Sequence, residues 1–230
     1  MHNLSVIIPF YNESKFLLDS INRVIEIDIA NQIILSDDCS NDGSEKIAKK
    51  LSEEYEFITY IKSNENKGKG SALNNVKKYI KTSHVVIHDA DLEYFPSDIV
   101  EMYELSKDYP EFLILGTRFK GNKKRKNVYL RTGLANRVMS LFFSLVNFYK
   151  VSDVATCYKL MPTEFFQSIP LKEQGFSIEI EILSKFLKTK NKIKEVPIKY
   201  EGRTYSEGKK IKISDGFMYL FNTLKYRFFN

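Results

Sequence analysis

Five short apolar runs separated by stretches of helical periodicity constrain this chain more than any other feature. The runs are LSVIIPF at 4–10, QIILSDD at 32–38, FITYIKS at 57–63, HVVIHDAD at 84–91 and FLILGTRF at 112–119. Between them, residues 15–27, 42–54, 69–80 and 96–107 space apolar side chains three and four apart, as at Ile47, Leu51 and Tyr55, which marks one face of a helix. Strand alternating with helix predicts parallel strands joined by crossover helices. Strands apolar throughout predict a sheet covered on both faces. The expected fold class is α/β, a Rossmann-like and mostly parallel sheet with helices on both sides. Punctuation agrees, with Asn41 or Asp42 as an N-cap ahead of Glu45 and with Pro96 opening a helix.

With 230 residues, 43% of them apolar, the chain can bury one sizeable core, and one domain over 1–230 is expected. No run approaches the ~20 apolar residues of a membrane span, and no signal-peptide layout precedes the first strand, so a cytoplasmic location is expected. Cys39 and Cys157 match neither a disulfide framework nor a zinc spacing. The charge is lopsided: residues 1–100 carry 11 Lys/Arg against 16 Asp/Glu, and residues 101–230 carry 24 against 13. That asymmetry suggests a metal held by the first half and an anionic group or surface held by the second; ordinary solvated charge is the alternative. KGNKKRKN at 120–127 reads as an exposed mobile loop. The very apolar stretch 128–153 and the aromatic, basic tail 213–230 read either as core helices or as amphipathic helices on a membrane interface.

Ligands of open α/β sheets gather at the carboxyl ends of the strands. Pro9 to Glu13, Asp37 and Asp38, Asp89 and Asp91, and Arg118 all fall there. Asp89 and Asp91 are two apart, so in an extended segment both side chains point the same way. Such a pair suits a hard divalent ion, Mg2+ or Mn2+, completed by water and phosphate oxygens. Helix capping or a solvated loop is the alternative.

The motifs SVIIPFYNE, SDDCSNDGS, NKGKGSALN, DADLEYFP, GTRF, LRTGLAN, DVATCYKLMP and EVPIKYEGRTYSEGKKI follow in that order. In this combination the chain resembles, nearly end to end, the family 2 glycosyltransferases, and within them the polyprenol-phosphate sugar transferases typified by dolichol-phosphate mannosyltransferase. The resemblance implies a GT-A fold, with a nucleotide-sugar half at 1–118 and an acceptor- and membrane-facing half at 119–230. It implies that Pro9, Tyr11, Asn12, Glu13 and Asp38 line the nucleotide pocket, Asp38 accepting a ring N–H of the base. Asp89 and Asp91 then hold the metal and through it the diphosphate, with Glu93, where relatives often carry Gln, as a third acid. Lys69, with Lys67, assists at the diphosphate, the alternative being a flexible basic turn.

By the same resemblance Arg118 and Arg131 hold the acceptor phosphate and Arg203 lies near the diphosphate, while Ala135 replaces a common Ser. Asp153 occupies the position of an acid near the acceptor, as a base or orienting group; an N-cap or a partner for a neighbouring arginine is the other reading. Glu179 and Glu181 are assigned to structure. The expected activity is metal-dependent, inverting transfer from a UDP- or GDP-sugar to a polyprenyl or dolichyl phosphate. It takes place on the cytoplasmic face of a membrane, with peripheral docking through the 120–127 loop and apolar helices or through a membrane protein partner. Transfer to a saccharide or protein hydroxyl is the alternative. A nucleic-acid module, suggested by pI ≈ 9.0 and KKRK, is disfavoured by the acidic rim and by the lack of aromatics within the basic run.

Overall fold

The computed structural model of the protein describes residues 3–127, 130–175, 177–203 and 213–229, without the side chains of residues 130, 131 and 213–215. The five expected strands form, as β1 (Leu4–Phe10), β2 (Gln32–Asp37), β3 (Ile58–Lys62), β4 (His84–Ile87) and β5 (Leu113–Thr117). Four helices alternate with them: α1 (Leu17–Glu26), α2 (Ser44–Glu54), α3 (Lys69–Val76), continued by a 3-10 turn at Lys77–Tyr79, and α4 (Ser97–Asp108). The remaining elements are β6 (Arg125–Lys126), α5 (Leu130–Asn147), β7 (Lys159–Pro162), α6 (Thr163–Ser168), α7 (Ile178–Lys188), β8 (Ile193–Pro197), β9 (Tyr200–Glu201) and α8 (Ile213–Phe228).

Seven strands make one sheet in the order β3-β2-β1-β4-β7-β5-β8. All neighbours are parallel except β7, which runs antiparallel to both β4 and β5, with Leu160 opposite Val86 and Ile114. Alternate residues of each strand face opposite sides of the sheet. Val6, Ile8, Ile33 and Leu35 pack with α1, α2 and α4. Ile7, Ile34, Val85 and Ile87 pack with α3, α6, α7 and Phe143 of α5. Each fully buried side chain of this kind contributes about 1.5–3 kcal/mol of transfer free energy.

Two local expectations are corrected. The N-cap of α2 is Gly43, at φ 99°, and Asp42 acts from one residue earlier by accepting the Ser44 N–H and hydroxyl and the Ser14 N–H. Burial alone would push the Asp42 carboxyl up; those hydrogen bonds bring it down to about 2. The 120–127 stretch is tied into the fold rather than loose. Lys120 pairs with Glu195, Lys123 with Asp98 and Glu101, and Lys126 with Glu201, while β6 pairs with β9.

The glycines of NKGKG have a steric reason. The start of α3 lies against the 173–174 backbone, where the Gly70 N–H donates to the Gln174 carbonyl at 3.1 Å. A Cβ on Gly70 would stand 1.7 Å from the Glu173 carbonyl oxygen, whereas one on Gly175 would meet nothing within 4 Å. Gly70→Ala is therefore expected to destabilise the protein in urea unfolding by about 1–3 kcal/mol or more, and Gly175→Ala to stay within about 0.5 kcal/mol of wild type.

Candidate active site

The carboxyl ends of β1, β2, β4 and β5 open onto a cavity of about 360 Å³, closed on its other sides by residues of α3, α5, α7 and α8. Strand β4 stops at Ile87, so the chain leaves the sheet just before the two aspartates. His88 fixes that exit: buried, it lies 3.1 Å from the Ser20 hydroxyl and 3.0 Å from the Tyr158 hydroxyl. Its burial pulls its pKa down to about 4, so the ring is neutral at physiological pH.

Asp89 meets Lys69 at 2.7 Å, Lys69 meets Glu179 at 2.8 Å, and Glu179 in turn bonds the buried Lys159. Lys69 is thus a half-buried counter-charge at the expected metal-ligand position, which removes the flexible-turn reading. Burial disfavours its charge, but Asp89 and Glu179 more than offset this and raise its pKa. Arg203 takes the matching place at Asp91. Its guanidinium stands 3.3 Å from Asp91, 3.3 Å from Glu13 and 3.8 Å from Glu93, and its buried Nε is left without a hydrogen-bond partner. Glu93 does not join the two aspartates. Its oxygens accept the Tyr200 hydroxyl at 2.5 Å and the Arg203 N–H at 2.8 Å. Among the described residues no three His, Cys, Asp or Glu side chains converge as a metal cluster.

Pro9, Tyr11, Glu13, Asp38, Lys69, Asp89 and Asp91 all line the cavity. Asp38 also closes the NKGKG loop onto the end of β2, accepting the Lys67 and Gly68 N–H groups at 3.2 and 2.6 Å. Asn12 is absent from the lining. At φ 53° its side-chain oxygen accepts the Asn41 N–H and its own N–H donates to Ser40, so it anchors one rim loop to the next. Arg118 lines the cavity with its guanidinium held on Asp153 by two bonds of 2.8 Å, while its backbone N–H adds a third at 2.9 Å. Asp153 is fully buried. Of its two readings the structure shows the partner of a neighbouring arginine. The Arg131 side chain lies outside the described residues.

Sequence reasoning missed Glu179, assigned to structure alone although it lines the cavity. The available signal was an acid flanked by apolar residues in the first turn of α7. Glu181, two residues on, is structural: it accepts the Lys172 and Glu173 N–H groups and pairs with Lys185.

Residues 5–169 match the model of the family described as Glycosyl transferase family 2. The chain belongs to that family. This glycosyltransferase is similar to the UDP-N-acetylglucosamine–dolichyl-phosphate N-acetylglucosaminyltransferase of Methanococcus voltae, with 29% identity over 237 residues covering 95% of this chain and 94% of that one. It is also similar to the dolichol-phosphate mannosyltransferase of Pyrococcus furiosus, with 28% identity over 210 residues, 90% of this chain but 58% of that protein. Among solved structures, the glucosyl-3-phosphoglycerate synthase of Mycobacterium tuberculosis, crystallised with Mn2+ and UDP, overlays with a TM-score of 0.71 at 17% identity, covering 98% of this chain and 80% of that one. The mannosyl-3-phosphoglycerate synthase of Rubrobacter xylanophilus gives 0.72 at 16%, covering 98% and 72%. These neighbours share the GT-A fold, which is the architecture of this glycosyltransferase.

The donor set of the glycosyltransferase fits a hard divalent ion. Asp89 and Asp91 offer oxygen ligands, and their number leaves coordination positions for water and ligand oxygens. Burial first, then Glu93 and Asp89, push the Asp91 carboxyl up to about 7 against the opposing pull of Arg203, the electrostatic signature of a site short of positive charge. In the metal-free fold Asp91 keeps its proton up to about pH 7, while in the unfolded chain it releases it near ~4. The folded state therefore binds the extra proton between those values, and its stability falls as pH rises through that window. Asp91→Asn is expected to raise the thermal midpoint of metal-free protein at pH 8 by several degrees and to leave it nearly unchanged at pH 4. Mn2+ is expected to stabilise the wild type at pH 8 more than the variant.

Proposed function

We propose that the protein transfers a sugar, with inversion at the anomeric carbon, from a UDP- or GDP-sugar to a polyprenyl or dolichyl phosphate, aided by Mg2+ or Mn2+ on Asp89 and Asp91. The observation that carries this reading is the state of Asp153. Both its oxygens are bonded to Arg118 in a buried pair, which commits the residue put forward as a base to holding an arginine. A hydroxyl acceptor must lose a proton to become a nucleophile, whereas a phosphate monoester, with its second pKa near ~6, is already largely ionised at neutral pH. The acceptor's need is then a cation to hold it, and Arg118, steadied by Asp153 and lying 4.9 Å from the Tyr200 ring centroid, supplies a planar fork suited to phosphate. Arg131 serves the same group. The similarity to dolichyl-phosphate transferases over nearly the whole chain supports the same acceptor class.

In the reaction an acceptor phosphate oxygen forms a bond to the anomeric carbon as the bond from that carbon to the donor diphosphate breaks, and the nucleoside diphosphate departs with the electron pair. Bound metal supplies charge stabilisation at the leaving phosphate. Lys69 and Arg203, now resting on Asp89 and Asp91, add positive charge beside the same oxygens. Pro9, Tyr11, Glu13 and Asp38 hold the nucleoside. Such a donor and acceptor meet at the cytoplasmic face of a membrane. No helix among the described residues is long and apolar enough to cross one, and the attachment in this reading is peripheral. This reading leaves nucleic acid aside, since Lys120, Lys123 and Lys126 each already pair with an acid of the same chain.

Calorimetric titration is expected to show UDP or GDP binding with Mn2+ and loss of that binding with EDTA. Asp89→Ala and Asp91→Ala are expected to abolish transfer without changing the circular dichroism spectrum. Wild-type enzyme should glycosylate a polyprenyl phosphate and leave the free polyprenol untouched. Equal use of the free alcohol would replace this reading with a hydroxyl acceptor.

A further inference from the structure

One residue, Glu93, clasps strand β9 from one side. Its backbone carbonyl accepts the Glu201 N–H at 2.9 Å, and its carboxylate accepts the Tyr200 hydroxyl at 2.5 Å and the Arg203 N–H at 2.8 Å. Beside it Tyr94 forms an antiparallel bridge with Tyr200. From the other side the Tyr200 and Gly202 N–H groups donate to the carbonyls of Lys124 and Lys126, at 3.2 and 3.1 Å. A Cβ on Gly202 would stand 2.9 Å from the Asn127 carbonyl oxygen and 3.2 Å from the Tyr200 ring, a close approach that only glycine allows. Residues 200–203 are therefore held along both edges, at the wall of the cavity that Glu93, Tyr200 and Arg203 line.

That hold matters because the Arg203 side chain itself is loosely held. Arg118, by comparison, gives two side-chain bonds of 2.8 Å to one carboxylate. Arg203 sends one nitrogen to Glu13 and another to Asp91, each at 3.3 Å. Its Nε stands 3.8 Å from Glu93 and is buried without a hydrogen-bond partner. A buried charged donor left unpaired is costly, and the partner it lacks is an acceptor such as a phosphate oxygen. With only long side-chain contacts, the guanidinium takes its place from its backbone, and Glu93 is what fixes that backbone N–H.

We infer that Glu93 is a positioning residue for the donor, not a metal ligand: it fastens residues 200–203 so that the Arg203 guanidinium stands at Asp91, ready for the diphosphate oxygens. One carboxylate oxygen is on the Tyr200 hydroxyl and the other on the Arg203 backbone, so turning the group toward an ion on Asp89 and Asp91 would break the clasp. What the clasp requires is two hydrogen bonds rather than a charge. A glutamine in this place keeps both, its oxygen accepting the Arg203 N–H and its amide donating to the Tyr200 oxygen. An alanine keeps neither. The diphosphate as the ligand of Arg203 rests on the function proposed above; the clasp does not.

The test is two titrations of the purified full chain and its variants: Mn2+ alone, followed by electron paramagnetic resonance, and UDP and GDP at saturating Mn2+, followed by calorimetry. Glu93→Ala and Glu93→Gln remove the same charge, so any through-space effect on Mn2+ is common to both, and the two are expected to bind Mn2+ within about twofold of each other. Glu93→Ala is expected to bind the nucleoside diphosphate at least about tenfold more weakly than Glu93→Gln. Arg203→Ala should show a comparable loss, and Glu93→Ala/Arg203→Ala no more than the larger single loss. Should Glu93→Ala fail to fold, Tyr200→Phe removes only the clasped hydroxyl and is expected to weaken the diphosphate by about threefold without changing the Mn2+ titration. Weaker Mn2+ binding by Glu93→Ala than by Glu93→Gln would overturn the inference in favour of a metal ligand. Equal diphosphate affinities in those two variants, additive losses in the double variant, or a Tyr200→Phe indistinguishable from wild type would each overturn it as well. Wild type that binds neither nucleotide would instead overturn the function proposed above, and the diphosphate as the ligand of Arg203 with it. Transfer to a free polyprenol would overturn only the acceptor reading and leave this inference standing, since neither titration involves an acceptor.

Discussion

A chain of alternating charges, half-buried at Asp89 and Lys69 and buried at Glu179 and Lys159, holds the molecule together around its cavity. It joins the rim after β4, the start of α3, the first turn of α7 and strand β7, elements from both ends of the sequence. Isolated, any one of these charges would be costly to bury, and removing one partner of such a pair typically costs about 3–5 kcal/mol. The four are affordable only as a set. Since Lys69 rests on Asp89 and Arg203 on Asp91, the protein already carries cations where the proposed metal and diphosphate meet. The acids of the site are thus only partly neutralised without ligand, and on the proposed reading these cations are positioned for the donor's phosphates.

A second constraint comes from β7. By inserting antiparallel between β4 and β5, it carries the segment 153–158 across the sheet ends, so that Asp153 meets Arg118 and Tyr158 meets His88. The Arg118 guanidinium is fixed in direction by that pair and by the rings of Tyr94 and Tyr200 around it. Residues far apart in sequence therefore define the acceptor side, whereas the donor side is built largely from the strand ends of the first half.

Much of the first half was legible because its signals are local. Strands β1 to β5 are short apolar runs bounded by polar residues, and β1 spans the predicted residues 4–10. Strands β7 and β8 were not, since KLMP and IKEVP are too short and too polar for periodicity to separate from loop. The lysines of 120–127 looked solvated because their acids, Asp98, Glu101, Glu195 and Glu201, lie outside that run and meet it only in the fold. Glu93 looked like a third metal acid for the same reason: Tyr200 and Arg203, which occupy it, are more than a hundred residues away.

The sequence by itself determined the alternation of strand and helix, the carboxylates at the strand ends and the family, because each rests on spacing within a few residues or on the order of short motifs. Only the tertiary structure decided which charges neutralise which. It set Asp153 on Arg118, brought Glu179 to the cavity, and packed α5 against α8 beside it. Those outcomes depend on distances between residues remote along the chain, and Coulomb and packing energies respond to distance in space.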